Sequence, residues 1–167
     1  MKPSSTDLKS PLSETGSQDQ RVGLLQRKAG IGLTQCLISS ASQTRRNMLT
    51  AAASEGGWDS ILCIPPDEIG RSVELAMFQF ALIDLDQRGS TASGARDLVQ
   101  ELVQASPEVL VGVCGHEADP GEEIWARQLG VWLYLPGVTT STEMSLLFEQ
   151  ALQIVMASSV SQENTAM

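Results

Sequence analysis

Five short apolar runs with little polar alternation constrain this chain more than any other feature. They are LTQCLIS at 33–39, SILCI at 60–64, FALIDL at 80–85, VLVGVCG at 109–115 and VWLYLPG at 131–137. A strand that faces water on one side alternates apolar and polar residues, so near-continuous apolar runs predict strands buried on both faces. Stretches with helical character separate them. SQTRRNMLTAAAS (42–54) has a stop at Gly56-Gly57, and DEIGRSVELAMF (67–78) has Asp67 as a candidate N-cap. SGARDLVQELVQAS (93–106) puts Ala95, Leu98, Val99, Leu102 and Val103 on one helical face and stops before Pro107. DPGEEIWARQLG (119–130) opens on Asp119-Pro120 and ends at Gly130. TSTEMSLLFEQALQIVMAS (140–158) opens with a capping box, Thr140 and Glu143, and carries a stripe of Met144, Leu147, Phe148, Ala151, Leu152 and Val155. Five strands each followed by a helix predict an α/β doubly wound parallel sheet, a (βα)5 flavodoxin-like sandwich.

Length and charge set the limits of that domain. A chain of 167 residues is expected to form one domain with a substantial core, and with only 4% aromatic residues that core is expected to be aliphatic. Residues 1–28 are polar and hold five of the 11 basic residues against three acids, which predicts a disordered basic arm. The folded domain is expected over 29–159 and a short tail over 160–167. Outside the arm, six basic groups face 17 acids, the wrong sign for a nucleic-acid partner. No run approaches the length of a membrane span and no leader pattern opens the sequence, so a cytoplasmic location is expected. Cys36, Cys63 and Cys114 are single and widely spaced, which predicts free thiols in place of a disulfide framework.

In a doubly wound sheet the functional crevice lies beyond the carboxyl ends of the strands. Ser39, Ser40, Pro65, Asp84, Cys114 and Pro136 are expected to gather there, with Asp86 in the loop after the third strand. A strand-terminal aspartate of this kind commonly caps the following loop, and the alternative is a carboxylate with chemistry. Arg45 and Arg46 begin the first helix near the crevice; such a pair more often forms a solvated face, and the alternative is that it meets an anion or Asp84. His116 lies at the crevice edge, and one histidine beside one cysteine is too few ligands for zinc. The GIG at 30–32 precedes a strand instead of following one, so it lacks the context of a dinucleotide fingerprint. Neither a metal nor a cofactor is expected.

The order of these features resembles the receiver domain of bacterial two-component response regulators over residues 31–158. The third strand ends on Asp84-Leu85, where that family carries its phosphoacceptor. The fourth ends Val113-Cys114-Gly115, where the family has a Thr or Ser and a small residue. LGVWLYLPG leads into an aromatic-bearing fifth strand ending at proline, with an amphipathic helix after it. The resemblance implies a receiver fold with Asp84 at the phosphoacceptor position. The family's chemical parts depart from this sequence. Phosphoryl transfer needs a Mg²⁺ held by carboxylates, and the family's acid pair after the first strand is here Ser39-Ser40. No Asp or Glu occurs from 20 to 54, no lysine follows Lys28, and Arg88 stands where a proline is usual.

The expected function is therefore a stand-alone, degenerate receiver-like signalling module, not an enzyme, that acts through protein–protein interaction without Mg²⁺-dependent phosphorylation. The alternatives are a phosphorylatable receiver using Asp84 and a small-molecule-binding doubly wound domain. Beyond its core stripe the last helix carries Leu146, Ile154 and Met156, so a protein partner or a second copy is expected to dock on this helix and the fifth strand.

Overall fold

The computed structural model describes residues 34–65, 78–85, 91–137 and 140–165. Strand β1 is Gln35–Ser39, followed by α1 (Gln43–Glu55), β2 (Ser60–Ile64) and β3 (Phe80–Asp84). Then come α2 (Thr91–Ala105), β4 (Leu110–Gly115), α3 (Pro120–Leu129), β5 (Leu133–Pro136) and α4 (Ser141–Thr165). All strand pairs are parallel and the sheet order is β2-β1-β3-β4-β5. The doubly wound five-stranded architecture is thus present. The arm over 1–28 and nearly all of the helix expected over 67–78 lie outside the described residues.

Both faces of the sheet are buried, which is why the strands read as continuous apolar runs. Cys36, Ile38, Phe80 and Leu82 point to one face, beneath Leu49, Ala52 and Ala53 of α1 and Met144, Leu147, Phe148 and Ala151 of α4. Leu37, Ala81, Ile83, Val111 and Val113 point to the other, beneath Ala95, Leu98, Val99 and Leu102 of α2 and Ala126 of α3. The helix ends follow the local chemistry. Asp119 accepts from the Glu122 amide at 3.1 Å, Pro120 fills the first helical position, and Gly130 closes α3 at φ 97°. Thr140 and Glu143 exchange the two bonds of a capping box, at 2.8 and 3.3 Å. The Thr140 amide and hydroxyl, donating to Glu143 Oε2 at 2.8 and 2.9 Å, hold the Glu143 carboxyl below the usual carboxylate range.

Two expectations change. The core is not purely aliphatic: Phe80 meets Trp58, Trp132 and Phe148 with ring centroids 5.7, 5.8 and 5.6 Å away. Four of the few aromatic rings are concentrated at one point, so a low aromatic content does not spread evenly. The tail expected over 160–167 is mostly helix, because α4 runs to Thr165. No Gly or Pro interrupts it, and the Ser158 and Ser159 hydroxyls each donate to the carbonyl four residues back at 3.0 Å, so they stay within the helical ladder. Among the described residues no helix is long and apolar enough to cross a membrane.

Candidate functional site

Asp84 ends β3 and is 1% exposed, opposite Cys114 in the parallel register with β4. A buried carboxylate needs donors and a counter-charge. Ser40, just past β1, donates its hydroxyl to Asp84 Oδ2 at 2.6 Å, and Arg45 Nη1 donates to Oδ1 at 2.6 Å. The first turn of α1 holds these groups in place. The Ser42 side chain caps the helix by accepting from the Arg45 amide, and Ser40 Oγ accepts from the Ser42 amide at 3.1 Å. Arg46 points elsewhere, donating to the Ser40 carbonyl and to Gln43 Oε1. Of the two arginines, then, one is a crevice group and the other supports the loop that carries Ser40.

The signal that separates them is in the sequence. Arg45, Met48, Leu49 and Ala52 follow the spacing i, i+3, i+4, i+7, so Arg45 continues the apolar face of α1, whereas Arg46 does not. Reading the pair as a solvated face overlooks this register.

A small pocket remains at the crevice, with about 250 Å³ of space between atoms, part of it open to solvent. Arg45, Met48, Leu49, Asp84, Cys114, Gly137 and Met144 line it. The Cys114 thiol is pushed up to about 12 by burial and by the Asp84 charge, against the opposing pull of Arg45, so it stays protonated near neutrality and is a poor nucleophile. Ser39 is fully buried and in register with Ile83, and among the described residues no hydrogen-bond partner reaches its hydroxyl. Pro136 is exposed and does not line the pocket; Gly137 takes that place, its amide donating to the Gly115 carbonyl at 2.9 Å. Pro65 borders a separate polar groove with Arg46, Asn47 and Thr50. Asp86 lies outside the described residues. The crevice therefore joins Ser40, Asp84 and Cys114, adds Arg45, and leaves both prolines out.

A second buried polar cluster was not foreseen. Glu122, 6% exposed, accepts from the His116 amide at 2.9 Å, the Tyr134 hydroxyl at 3.0 Å and Arg96 Nη2 at 3.0 Å. Arg96 also lies over the Trp125 ring, 5.4 Å from its centroid. The clue was Glu122 itself, which shares the inward face of α3 with Trp125, Ala126 and Leu129 at the spacing of an apolar stripe. His116 is exposed and its Nδ1 accepts from the Ala118 amide, so it serves the loop. Among the described residues no group of three or more His, Cys, Asp or Glu could hold a metal ion.

No family model and no curated protein matches the sequence. Solved structures do match the fold. A CheY-like response regulator receiver domain protein from Methanospirillum hungatei superposes with a TM-score of 0.65 at 12% identity, covering 76% of this chain and 99% of that one. The signal receiver domain of a LuxO repressor protein from Vibrio parahaemolyticus gives 0.64 at 12% identity, covering 76% and 95%. A response regulator from Thermotoga maritima gives 0.58 at 14% identity, covering 74% and 98%. The chain has the CheY-like receiver fold, and Asp84 lies at the carboxyl end of its central strand.

Proposed function

We propose that this chain is a degenerate receiver-like signalling module, cytoplasmic and acting through protein–protein contacts without Mg²⁺-dependent phosphorylation. The observation that carries the reading is that both Asp84 oxygens are engaged, one by Ser40 and one by Arg45. A hard divalent ion needs about six oxygen ligands in near-octahedral order. Here Ser39 ends β1 and Ser40 follows it, where carboxylates would serve such an ion, and a guanidinium supplies the counter-charge. The likeness to response regulator receivers supports a signalling role, and the departure at the crevice supports output without a phosphoryl group.

Incubation with acetyl phosphate and Mg²⁺, followed by intact-mass analysis, is expected to leave the chain unmodified, and Mg²⁺ is expected to bind no better than millimolar. Sub-millimolar Mg²⁺ affinity that disappears in Asp84→Asn, or a phosphoryl adduct at Asp84, would replace this reading with that of a phosphorylatable receiver. A melting shift caused by small metabolites alone would favour the small-molecule reading.

The contact surface is proposed to include α4. Leu146, Ile154 and Met156 are 55%, 37% and 51% exposed. At about 100° per residue they do not form one stripe: Leu146 is on the outer face, with Ile154 and Met156 about 80° to either side. A flat partner covers Leu146 and one flank. Ile154→Glu is expected to change stability by less than about 0.5 kcal/mol, as exposed substitutions do. In sedimentation the same change is expected to abolish a homodimer formed through α4 and β5. Unaltered assembly would remove the Ile154 flank from the contact, and unfolding would show it to be core.

A further inference from the structure

We infer that Ser40 and Asp84 form a guanidinium site whose occupant is carried by the chain itself, as Arg45. The inference rests on the reading of the crevice as metal-free and goes on to name the cation it is shaped for. Three observations support it. Asp84 is 1% exposed, so its charge requires a cation that tolerates desolvation. A guanidinium is permanently charged, planar and weakly hydrated, whereas Mg²⁺ gives up its water shell reluctantly. Arg45 is only 17% exposed and meets Asp84 Oδ1 at 2.6 Å, while Ser40 holds Oδ2 at the same distance. The pocket is completed by Met48, Leu49, Met144, Cys114 and Gly137; the apolar and soft side chains suit the flat faces of a guanidinium, and among the described lining residues no side chain other than Asp84 offers a hard oxygen.

The arrangement also makes Arg45 a latch. Its backbone belongs to the first turn of α1, its head group binds the end of β3, and Met144 of α4 lines the same pocket. Withdrawal of the arginine would remove the counter-charge that Arg45 brings to the buried carboxylate beside α1 and α4. Refilling that space with a free guanidinium ion would restore the charge balance without restoring the covalent tie.

The experiment is chemical rescue of Arg45→Ala, read by thermal melting at matched chloride concentration. The variant is expected to lose roughly 10 °C in Tm, the size of effect that follows from stripping the partner from a buried ion pair. Millimolar methylguanidinium is expected to recover at least half of that loss through binding to the folded state, while Mg²⁺ at equal ionic strength recovers little. Arg45→Ala/Asp84→Asn, with no carboxylate to serve, is expected to melt above the single variant and to ignore methylguanidinium. The inference is overturned if Arg45→Ala keeps the parent Tm, if methylguanidinium fails to rescue it, or if the double variant is rescued equally. Should Arg45→Ala fold too poorly to melt, the added Asp84→Asn must restore folding, and failure there also overturns it. Labelling of the unaltered protein by acetyl phosphate would instead strike the metal-free reading, so the two failures are told apart.

Discussion

Phe148→Ala is expected to remove about 3–5 kcal/mol of stability, the range for deleting a large buried aromatic side chain. Phe148 is fully buried on α4 and meets Phe80 edge-on, with planes at 78°. Its surroundings cannot readily close over the space it would leave. A Cβ on Gly56 would lie 2.5 Å from the Phe148 Cβ and 3.0 Å from the Glu149 backbone nitrogen, so α1 and α4 already approach as closely as a glycine permits. Trp58 is tied as well, its indole donating to the Phe148 carbonyl at 3.0 Å. Helices held this way leave a cavity, and the cavity adds to the lost transfer energy. Against a total stability of about 5–15 kcal/mol, the loss decides whether the domain folds at all when warmed. Leu152→Ala, at a half-buried position near the end of the same stripe, is expected to cost less, about 2 kcal/mol. Urea titrations with a shared m-value would measure both. A loss below about 1 kcal/mol for Phe148 would mean that the α1–α4 layer repacks freely.

The fold was legible because backbone requirements are local. Five apolar runs, the Asp119-Pro120 start and Gly130 stop of α3, and the Thr140–Glu143 box each mark structure within a few residues. The site was legible only in part, because its decisive pairs are distant in sequence. Arg45 reaches a carboxylate 39 positions away, and Glu122 is joined by Arg96 from 26 positions before it and Tyr134 from 12 after it. Hydrophobic periodicity reports that a position faces inward, not which partner makes a buried charge tolerable. In both cases the readable trace was a charged residue in register with an apolar face. Such a residue is either wrong for its helix or paired, and here it is paired. The crevice prolines illustrate the opposite error. Pro65 follows β2 and Pro136 ends β5, but these strands are the two edges of the sheet, away from the central strand that carries Asp84.

The Glu122 cluster leads to the second large effect. Gly115→Ala is expected to cost about 3 kcal/mol or more, although a single methyl group is all it adds. No unusual backbone angle is involved at this position. A Cβ built there would lie 2.1 Å from the Tyr134 hydroxyl oxygen and 2.2 Å from Glu122 Oε1. Neither neighbour can yield cheaply. Burial and the negative charge of Glu122 push the Tyr134 phenol well above its ordinary pKa, so it remains a donor across the working pH range, and displacing it removes one of the bonds that satisfy the carboxylate. Overpacking costs about 1–3 kcal/mol and an unpaired buried polar group about 1–3 more. Removing only the hydroxyl does not help, because Tyr134 Cζ is itself 2.4 Å from the added carbon. Removing the ring does. In a double-mutant cycle Gly115→Ala is therefore expected to be clearly less damaging in a Tyr134→Leu background than in the parent, with a coupling of about 1 kcal/mol or more for residues in direct contact. Equal costs in the two backgrounds would show that the methyl group is accommodated by backbone movement at the end of β4, and that Tyr134 and Glu122 do not require a glycine at Gly115.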